Sequence, residues 1–415
     1  MLDALSSCRP SPEAESLERP PACAAGLTFD RALALLVGQA APLGTEPVSL
    51  AEAGGRSLAA PVHAAIDAPR YDAAAMDGFA IADADLEAGI TRFVVVGASY
   101  PAAPYPGAIG RGEAVRIMTG APMPAGTDHV LMLEHVIAAA GTIRLEGRPG
   151  RRHVRPRGSD FAAGQRLLPV GRTLDPRALA VAAAADAGNV IVWRRPRVTF
   201  VASGDELAAP GRARATALGI PDSLGDALAL AVCEWGGVPV RVVRIADDLG
   251  ALAGAARAAL DGADILVMIG GASRGDRDFA KAALATLDLV FADVAIKPGK
   301  PVWYGRAKGR HVLGLPGNPT AAFTIARLFL APLVAALAGR SPAHVWMPVP
   351  LAAPVAATGD RETFLCGTLS LDGVRVIERQ SASAQLMLAE ADALVRFAPG
   401  TPALAAGTPV DTVRL

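Results

Sequence analysis

The chain contains 415 residues, which is long enough for several domains, since a single hydrophobic core usually stops growing at roughly 250 to 300 residues. Lysine and arginine together number 40 and so do aspartate and glutamate, so the formal net charge is zero. This balance excludes a strongly basic nucleic-acid surface, and any anion site must be local.

The first 25 residues are predicted to be a disordered tail, because they are rich in proline and glutamate and lack the basic start and apolar segment of a secretion signal. The apolar run Phe323 to Ala338 is interrupted by Arg327 and Pro332. It is also shorter than the ~20 residues needed to span a membrane. We therefore predict a core helix there and no membrane partner.

The 4 cysteines are too few for a disulfide framework and lack metal-ligand spacing. They are Cys8, Cys23, Cys233 and Cys366. The 6 histidines are scattered, so a zinc or iron site is not expected. This usage of cysteine favours a reducing, cytoplasmic location.

In chain order, the first predicted helix runs from Thr28 to Val37, with Thr28 as N-cap and Gly38 as the stop. A second, short helix is predicted from Leu50 to Ala60. The next stretch, Asp67 to Asp85, is rich in aspartate, proline and small residues. We expect a loop there rather than a core element.

Short strands separated by Gly and Pro turns dominate from Arg92 to Gly147, which predicts a mostly β domain. The predicted strands are Phe93 to Val96, Ala114 to Met118, Val130 to Val136 and Ile143 to Leu145. The arginine-rich stretch Arg151 to Asp160 is consistent with a solvated basic loop. Asp175 and Pro176 then predict the start of a helix that ends near Gly188.

Apolar runs alternate with helical patterns from Val198 to about Gly339, which indicates a doubly wound, mostly parallel α/β sheet. The predicted strands are Val198 to Ala202, Val238 to Ile245, Ile265 to Ile269, Val290 to Ile296 and His311 to Leu315. Helices are predicted at Asp226 to Glu234, at Leu249 to Leu260 and from Phe279 onward. After Ser341 short strands return, so a small β domain closes the chain.

Polar loops follow three of the predicted strands. Gly270 and Gly271 precede Ser273, Asp276 and Asp278; Ser203-Gly204-Asp205-Glu206 and Pro316-Gly317-Asn318-Pro319 follow the other two. Because the carboxyl ends of parallel strands share one edge of the sheet, we expect these loops to converge on one pocket.

Lys297 and Lys300 lie on a stiff Pro-Gly loop, an arrangement that suits phosphate or another oxyanion. The helix that starts at Asn318 and Pro319 is expected to point unpaired amides at the same edge. Asp205, Glu206, Asp276 and Asp278 would repel an anion unless Mg²⁺ bridged them, since Mg²⁺ prefers oxygen ligands and phosphates. The residues alone predict a magnesium-dependent enzyme that acts on a polyanionic small molecule.

Six motifs, taken together, resemble the MoeA-type molybdopterin molybdenumtransferases and the corresponding domain of gephyrin. They are AAMDGFA from Ala74, VRIMTGAPMPAGTDHV from Val115, SGDEL from Ser203, GGASRGDRDF from Gly270, IKPGKPV from Ile296 and GLPGNP from Gly314. The resemblance is collinear and covers about Leu27 to Leu415.

This resemblance implies an enzyme of molybdenum cofactor synthesis that inserts molybdate into adenylylated molybdopterin and releases AMP with Mg²⁺. It implies catalytic roles for Asp77, Thr119, Glu206, Asp278, Lys297 and Lys300, and metal binding by Asp205, Glu206, Asp276 and Asp278. It places the following residues in the substrate site: Asp160, Ser203, Gly204, Asp222, Ser223, Asp248, Gly270, Gly271, Ser273, Pro298, Gly299, Pro316, Gly317, Asn318, Pro319, Arg361 and Ser383.

The resemblance also implies a homodimer, in which the β domain with Met76-Asp77-Gly78 lies across the interface from the partner's α/β pocket. The preceding adenylyltransferase and recipient molybdoenzymes are the further partners that it suggests. The predicted division of the chain is a tail at 1–26, a linking helical region at 27–45 and 163–188, a mostly-β domain at 46–162, an α/β molybdopterin-binding domain at 189–340, and a C-terminal β-barrel at 341–415.

The chain departs from the family pattern at several positions. Leu224 stands where Asn is usual after Asp222-Ser223, Cys366 stands in place of a second arginine, and Ala75 or Ala74 replaces a serine. Arg274 follows Gly-Gly-Ala-Ser, and Ala382 and Ala384 replace glycines around Ser383. These departures leave open a non-catalytic accessory paralogue that binds molybdopterin or the finished cofactor. A molybdopterin adenylyltransferase is a second alternative, because such enzymes resemble the α/β domain alone, although the two additional β domains count against it.

Overall fold

The computed structural model describes residues 26–148, 150–271 and 279–415. The chain divides into two compact units. The insert unit spans residues 43–194, and the main unit combines the segment before it with residues 195–415. The five-part domain division derived from the sequence stays a prediction.

The helices of the described residues lie in both units. They are α1 (Phe29–Gly38), α2 (Asp83–Glu87), α3 (Pro176–Ala184), α4 (Gly225–Glu234), α5 (Leu249–Gly262), α6 (Pro319–Ile325), α7 (Ala331–Leu337) and α8 (Leu386–Glu390). Short 3-10 turns occur at Leu133–His135 and Ala213–Ala215.

The strands of the insert unit are β1 (Thr45–Ser49), β2 (Val62–His63), β3 (Ala73–Ala74), β4 (Gly78–Ile81), β5 (Arg92–Ser99), β6 (Glu113–Ile117), β7 (His129–Met132), β8 (Val136–Ala139), β9 (Thr142–Leu145), β10 (Val154–Arg155), β11 (Arg166–Leu168) and β12 (Asn189–Trp193).

Those of the main unit are β13 (Arg197–Ser203), β14 (Leu207–Ala208), β15 (Ile220–Pro221), β16 (Val238–Ile245), β17 (Ile265–Ile269), β18 (Asp288–Ala292), β19 (Ile296–Lys297), β20 (Trp303–Ala307), β21 (Arg310–Leu315), β22 (Met347–Pro350), β23 (Glu362–Ser370), β24 (Gly373–Val376), β25 (Ala393–Phe397) and β26 (Pro409–Arg414).

The insert unit contains a six-stranded sheet in the order β7-β4-β6-β5-β9-β8. Strand β4 is buried at all four positions and pairs with both β6 and β7. The expectation of a loop over Asp67 to Asp85 is therefore wrong for this part, because a short apolar strand follows the Asp-rich stretch and α2 follows the strand. A Cβ on Gly78 would lie 2.0 Å from the Leu131 carbonyl oxygen, so only glycine allows this close pairing.

A second core in the insert unit forms around α3, which packs with β11 and buries Ala178 and Ala182. Its start agrees with the sequence: the Asp175 carboxylate accepts a bond from the Ala178 amide at 2.8 Å. The helix predicted at Leu50 to Ala60 is absent from the described residues there, which form turns and single bridges such as that of Leu58 with Val192. Backbone groups of this stretch pair with β12 instead of forming helical hydrogen bonds.

The main unit is built on a six-stranded sheet in the order β16-β13-β17-β21-β20-β18. The first four strands are parallel to one another. At one side of the sheet β20 pairs antiparallel with β21, and the edge strand β18 pairs antiparallel with β20. This confirms the mostly parallel α/β class. The helix predicted from Phe279 is wrong, since residues 280–287 form turns. The strand predicted to begin at Val290 is present as β18, but it starts at Asp288 and ends at Ala292.

A long helix, α6 and α7 joined by the π-helical turn Ala326–Leu330, fills the core beside this sheet. By length and composition alone Pro319–Leu337 could cross a membrane, but 83% of its most apolar window is buried in the protein. The predicted core helix is thus confirmed, with an earlier start.

The C-terminal strands form a sheet in the order β19-β23-β25-β26-β22, with β24 paired to β23. A bridge between Leu351 and Val374 connects the end of β22 to β24, so the sheet closes on itself as a barrel. Its interior holds Val395, Phe397 and Val410. Through β19, which pairs with β23, the loop before β20 belongs to this barrel as well.

Candidate active site

Three neighbouring parallel strands end in register at one edge of the α/β sheet. Ala202 of β13 pairs with Ile269 of β17, and Ile269 pairs with Leu315 of β21. The loops that follow these strands line a cavity of about 730 Å³, here called the large cavity. The predicted convergence of the loops is therefore found.

Many residues predicted for the site line the large cavity. They are Ser203, Gly204, Glu206, Asp222, Ser223, Gly270, Gly271, Pro316, Gly317, Asn318, Pro319 and Ser383. Gly270 has a φ of +84°, and a Cβ there would lie 2.9 Å from the Ser203 carbonyl oxygen. A side chain at this turn would be strained and would also close the space between two of the loops.

Asp222 has structural bonds within the cavity wall. Its Oδ1 accepts bonds from the amides of Leu224 and Gly225 at 3.0 Å, at the start of α4. Its Oδ2 lies 2.8 Å from Nε of Arg244 on β16. The buried carboxylate thus connects α4 to the sheet through Oδ1, while Oδ2 has an ion pair but accepts no hydrogen bond among the described residues.

Two acidic residues predicted for the site lie outside the described lining. Asp205 accepts a bond from the Asp247 amide at 3.0 Å, and Asp248 caps α5 by accepting from Ala251 at 2.7 Å. Asp247 lines the large cavity instead and was missed by the sequence reasoning. Its position directly after β16, at the same edge of the sheet, was the available signal.

The described residues include only part of the predicted metal site. Ser273, Asp276 and Asp278 lie outside the described residues, while Glu206 lies in the cavity wall. Among the described residues no group of three His, Cys, Asp or Glu could hold a metal ion. The carboxylates of Glu206 and Asp247 are of the chemical type that Mg²⁺ prefers.

A second, smaller cavity of about 290 Å³ adjoins the first and shares Pro301, Pro316 and Asn318 with it. Lys297, Lys300 and Arg361 line it together with Pro298 and Gly299, and its described lining contains no acidic side chain. We call it the cationic cavity. Neither lysine has a carboxylate within 4.0 Å among the described residues. Both ammonium groups are therefore available to an anion.

The helix start beside these cavities differs from the prediction. The carbonyl of Ala382 accepts bonds from the amides of Thr320 and Ala321 at 2.9 and 3.3 Å, and Pro319 has no amide hydrogen. The side chain of Asn318 makes no capping bond. The expectation of unpaired amides aimed at an anion is wrong, because a loop of the barrel already satisfies them.

Cys366 is buried in the wall of the cationic cavity, where its amide and carbonyl both bond to the side chain of Gln380. Burial raises the pKa of its thiol to about 11. The thiol is therefore neutral near neutral pH and contributes neither a cation nor a nucleophile to the cavity.

We expect iodoacetamide to modify Cys366 far more slowly than the exposed Cys233 in the folded protein. At roughly pH 8 a thiol with so high a pKa is about one part in a thousand thiolate, and only the thiolate reacts. Peptide mapping by mass spectrometry measures both rates. Equal rates for the two cysteines in the folded protein would contradict this description of the cavity, and denaturant should abolish the difference.

The insert unit brings two predicted site residues together. Oδ1 of Asp77 accepts bonds from both the amide and the hydroxyl of Thr119, each at 2.7 Å. These bonds hold the pKa of the Asp77 carboxyl below its ordinary value of 3.8. Asp160 is exposed, and its amide donates to the Ala68 carbonyl. These residues belong to the insert unit, whereas the residues that line the two cavities belong to the main unit.

Replacing Thr119 by valine removes the hydroxyl donor and is expected to raise the pKa of Asp77 toward 3.8. The amide bond remains, so the rise is partial. Carboxyl-carbon NMR of the titrating protein measures it. A Thr142→Val variant, whose hydroxyl donates to the Ala139 carbonyl, is the control and should leave Asp77 unchanged. An unchanged pKa in Thr119→Val would contradict the pairing.

Comparisons with known proteins agree with this geometry. Residues 27–186 match the model of the MoeA N-terminal region (domains I and II), and residues 199–336 match that of a probable molybdopterin binding domain. A molybdopterin molybdenumtransferase of Synechococcus elongatus is 33% identical over 404 residues, which cover 93% of this chain and 98% of the relative.

A molybdopterin molybdenumtransferase of Haemophilus influenzae is 33% identical over 76% of this chain and 78% of its own length. Among solved structures, a molybdopterin biosynthesis MoeA protein from Pyrococcus horikosii superposes with a TM-score of 0.80 at 28% identity. The match covers 94% of this chain and 99% of that one. Sequence and fold therefore agree along almost the whole chain, which belongs to the molybdopterin molybdenumtransferases, a family of transferases.

Proposed function

We propose that this protein inserts molybdate into adenylylated molybdopterin and releases AMP, in a Mg²⁺-dependent reaction in the cytoplasm. The observation that carries the proposal is the pair of adjoining cavities at one edge of the sheet. One is large and contains carboxylates, whereas the other is small and lined by cations. A reaction between a large nucleotide-bearing pterin and a small oxyanion needs two sites of this kind.

The large cavity suits the adenylylated pterin. Its volume of about 730 Å³ lies within the range of roughly 300 to 1,000 Å³ that is typical of small-molecule sites. Gly270, Gly271 and Gly317 allow the backbone to approach the phosphates closely. Ser203 and Ser223 add hydroxyl groups that can donate to phosphate oxygens.

The cationic cavity suits molybdate, a small tetrahedral dianion. Lys297, Lys300 and Arg361 surround it, and charge-assisted bonds to an oxyanion are about twice as strong as neutral ones. Asn318, which lines both cavities, stands at the boundary that molybdenum would cross to reach the pterin dithiolene. Binding both substrates in adjoining cavities reduces the entropic cost of bringing them together.

Mg²⁺ fits the larger of the two cavities by donor chemistry, because the carboxylates of Glu206 and Asp247 lie in its wall. When bound, the ion would neutralise charge on the phosphates as the phosphoanhydride is cleaved. In this proposal Glu206 binds Mg²⁺ through its carboxylate, beside the positions of the phosphates. Asp276 and Asp278 remain proposed ligands from their sequence motif.

We expect Glu206→Gln to raise the Mg²⁺ concentration needed for half-maximal AMP release about tenfold, since one charged ligand becomes neutral. The maximal rate at saturating Mg²⁺ should change less. Glu390→Gln, an exposed position outside both cavities, serves as the control and should behave as wild type. A wild-type Mg²⁺ dependence in Glu206→Gln would remove this residue from the proposed metal site.

The working unit is proposed to be a homodimer, in which Asp77, Thr119 and Asp160 of one protomer complete the site of its partner. The two bonds from Thr119 to Asp77 support this role, since they fix the orientation of a carboxylate that is charged at neutral pH. The preceding adenylyltransferase would deliver the substrate, and recipient molybdoenzymes would accept the product.

The direct test is AMP release from adenylylated molybdopterin by the purified protein, with and without molybdate and Mg²⁺. Release that requires both supports the proposal. Tight pterin binding without AMP release would support the second candidate, an accessory paralogue. The observation that favours that candidate is Cys366, whose neutral thiol stands in the cationic cavity where the family pattern has an arginine.

A further inference from the structure

A third cavity of about 560 Å³ in the main unit takes no part in the proposed reaction. We call it the arginine cavity, because Arg327, Arg340 and Arg414 line it. Glu234 is the one acidic side chain in its described lining. Leu415, with its terminal carboxylate, also lies in the lining, so three arginines stand against two negative groups and the cavity keeps a positive excess.

Arg327 is half-buried and has no acidic partner among the described residues. No carboxylate of the described residues, including that of Leu415, lies within 4.0 Å of its guanidinium group. Burial lowers the pKa of Arg327, which is the sign of a cation held away from water. A charge in such a place is costly unless it is paired, so its position calls for an anion.

The bonds that Arg327 does make leave donors unused. Its Nε donates to the Arg414 carbonyl at 2.7 Å, and its Nη1 donates to Nδ1 of His344 at 3.2 Å. His344 donates through Nε2 to the Leu328 carbonyl, and burial lowers its pKa to about 4, so it is a neutral acceptor. A guanidinium group has five N–H donors, and three of them have no acceptor among the described residues.

The backbone around Arg327 is also unusual, because this residue lies in the π-helical turn Ala326–Leu330 inside an otherwise α-helical segment. Such turns occur frequently at functional sites, where they re-aim side chains. The same helix begins at Pro319 in the wall of the large cavity. Arg327 lies nine positions after Asn318, or roughly 14 Å along the helix axis.

Much of the remaining wall of the arginine cavity is apolar. Trp235, Pro332, Pro342 and Val345 line it, and Val345 is 75% exposed. The volume of about 560 Å³ is much larger than a bare phosphate or sulfate ion needs. The arginines suit the anionic group of a ligand, and the apolar wall suits an organic group attached to it.

We propose that the arginine cavity is a binding site for a small organic phosphate, distinct from the two cavities of the proposed reaction. The phosphate group takes the free donors of Arg327 and the charge of Arg414, while an aromatic or aliphatic body packs against Trp235. A doubly charged phosphate matches several guanidinium groups better than a singly charged carboxylate does.

Isothermal titration calorimetry of the full-length protein with phenyl phosphate tests this site. We expect saturable binding at one site per chain that is weakened about tenfold in Arg327→Gln. Benzoate and inorganic phosphate, each with one half of the recognised chemistry, should bind more weakly than phenyl phosphate. Arg257→Gln, at an exposed position of α5 outside the cavity, should bind as wild type.

Arg414→Gln repeats the test at an exposed side chain, so the result does not depend on how Arg327→Gln folds. Weakened binding in Arg414→Gln supports the site. The proposal is overturned if wild type shows no binding of phenyl phosphate at millimolar concentration, or if the Arg414 variant binds as wild type. It is equally overturned if Lys297→Gln abolishes binding, since the probe would then occupy the cationic cavity.

Discussion

Replacing Lys297 by glutamine is expected to lower kcat/KM for molybdate in the AMP-release assay by about a hundredfold, the usual effect of removing one charged or preorganised donor from an oxyanion site. Lys297 is exposed to the cationic cavity and has no carboxylate within 4.0 Å among the described residues. Within the described parts of the chain nothing neutralises its charge, which we expect to act on the dianion. Lys300→Gln should have an effect of the same order.

Lys308→Gln is the matched control. Lys308 is an exposed lysine of the same unit that pairs with Asp261 at 3.0 Å, away from both cavities. We expect its kcat/KM to remain that of wild type. If Lys297→Gln and Lys300→Gln also retained the wild-type value, the cationic cavity would not be the molybdate site.

Phe29→Ala is expected to lower the free energy of unfolding of the main unit by about 3 to 5 kcal/mol, the usual cost of truncating a fully buried phenylalanine. The ring of Phe29 is 0% exposed. Its centroid lies 5.1 Å from that of Phe364 in β23 and 5.5 Å from that of Phe329 in the π-helical turn. The guanidinium of Arg396 lies 5.2 Å from the same ring. One side chain thus joins α1, the long helix and the barrel.

Urea unfolding followed by tryptophan fluorescence measures this change. Leu230→Ala is the control, because Leu230 is a large apolar side chain that is 64% exposed on α4. Its truncation should change the unfolding free energy by less than about 0.5 kcal/mol. Similar small losses in both variants would contradict the role of Phe29 as a packing centre.

The parallel strands and the loops after them could be predicted because their signals are local. Ile265 to Ile269 is a continuous apolar run, and it is buried at every position of β17. Gly270 and Gly271 mark the turn where backbone segments approach closely. Since the carboxyl ends of parallel strands share an edge, the large cavity followed from these local patterns.

The remaining features depend on contacts between distant segments. The carbonyl of Ala382 occupies the amides of Thr320 and Ala321, a bond across some sixty positions of sequence that composition does not reveal. In the same way β4 is buried because β6 and β7 flank it, although Asp-rich sequence precedes it. Strand β20 was missed because Gly305 and Arg306 interrupt its apolar run, although it lies between β21 and β18 in the sheet.

The fold shows what the residues that depart from the family pattern contact. Leu224 is buried at the start of α4, where its amide donates to Asp222, so its effect on the large cavity is one of packing. Cys366 places a neutral thiol in the wall of the cationic cavity, beside Lys297, Lys300 and Arg361. The sequence indicated that both positions are unusual, but not which cavity each one affects.

If the two adjoining cavities divide the substrates between them, the oxyanion binds among Lys297, Lys300 and Arg361. Anomalous diffraction from crystals soaked in molybdate, recorded on both sides of the molybdenum absorption edge, tests it most directly. We expect a molybdenum peak in the cationic cavity that disappears in Lys297→Gln crystals. A peak beside Glu206 in the large cavity, with none among the three cations, would contradict it.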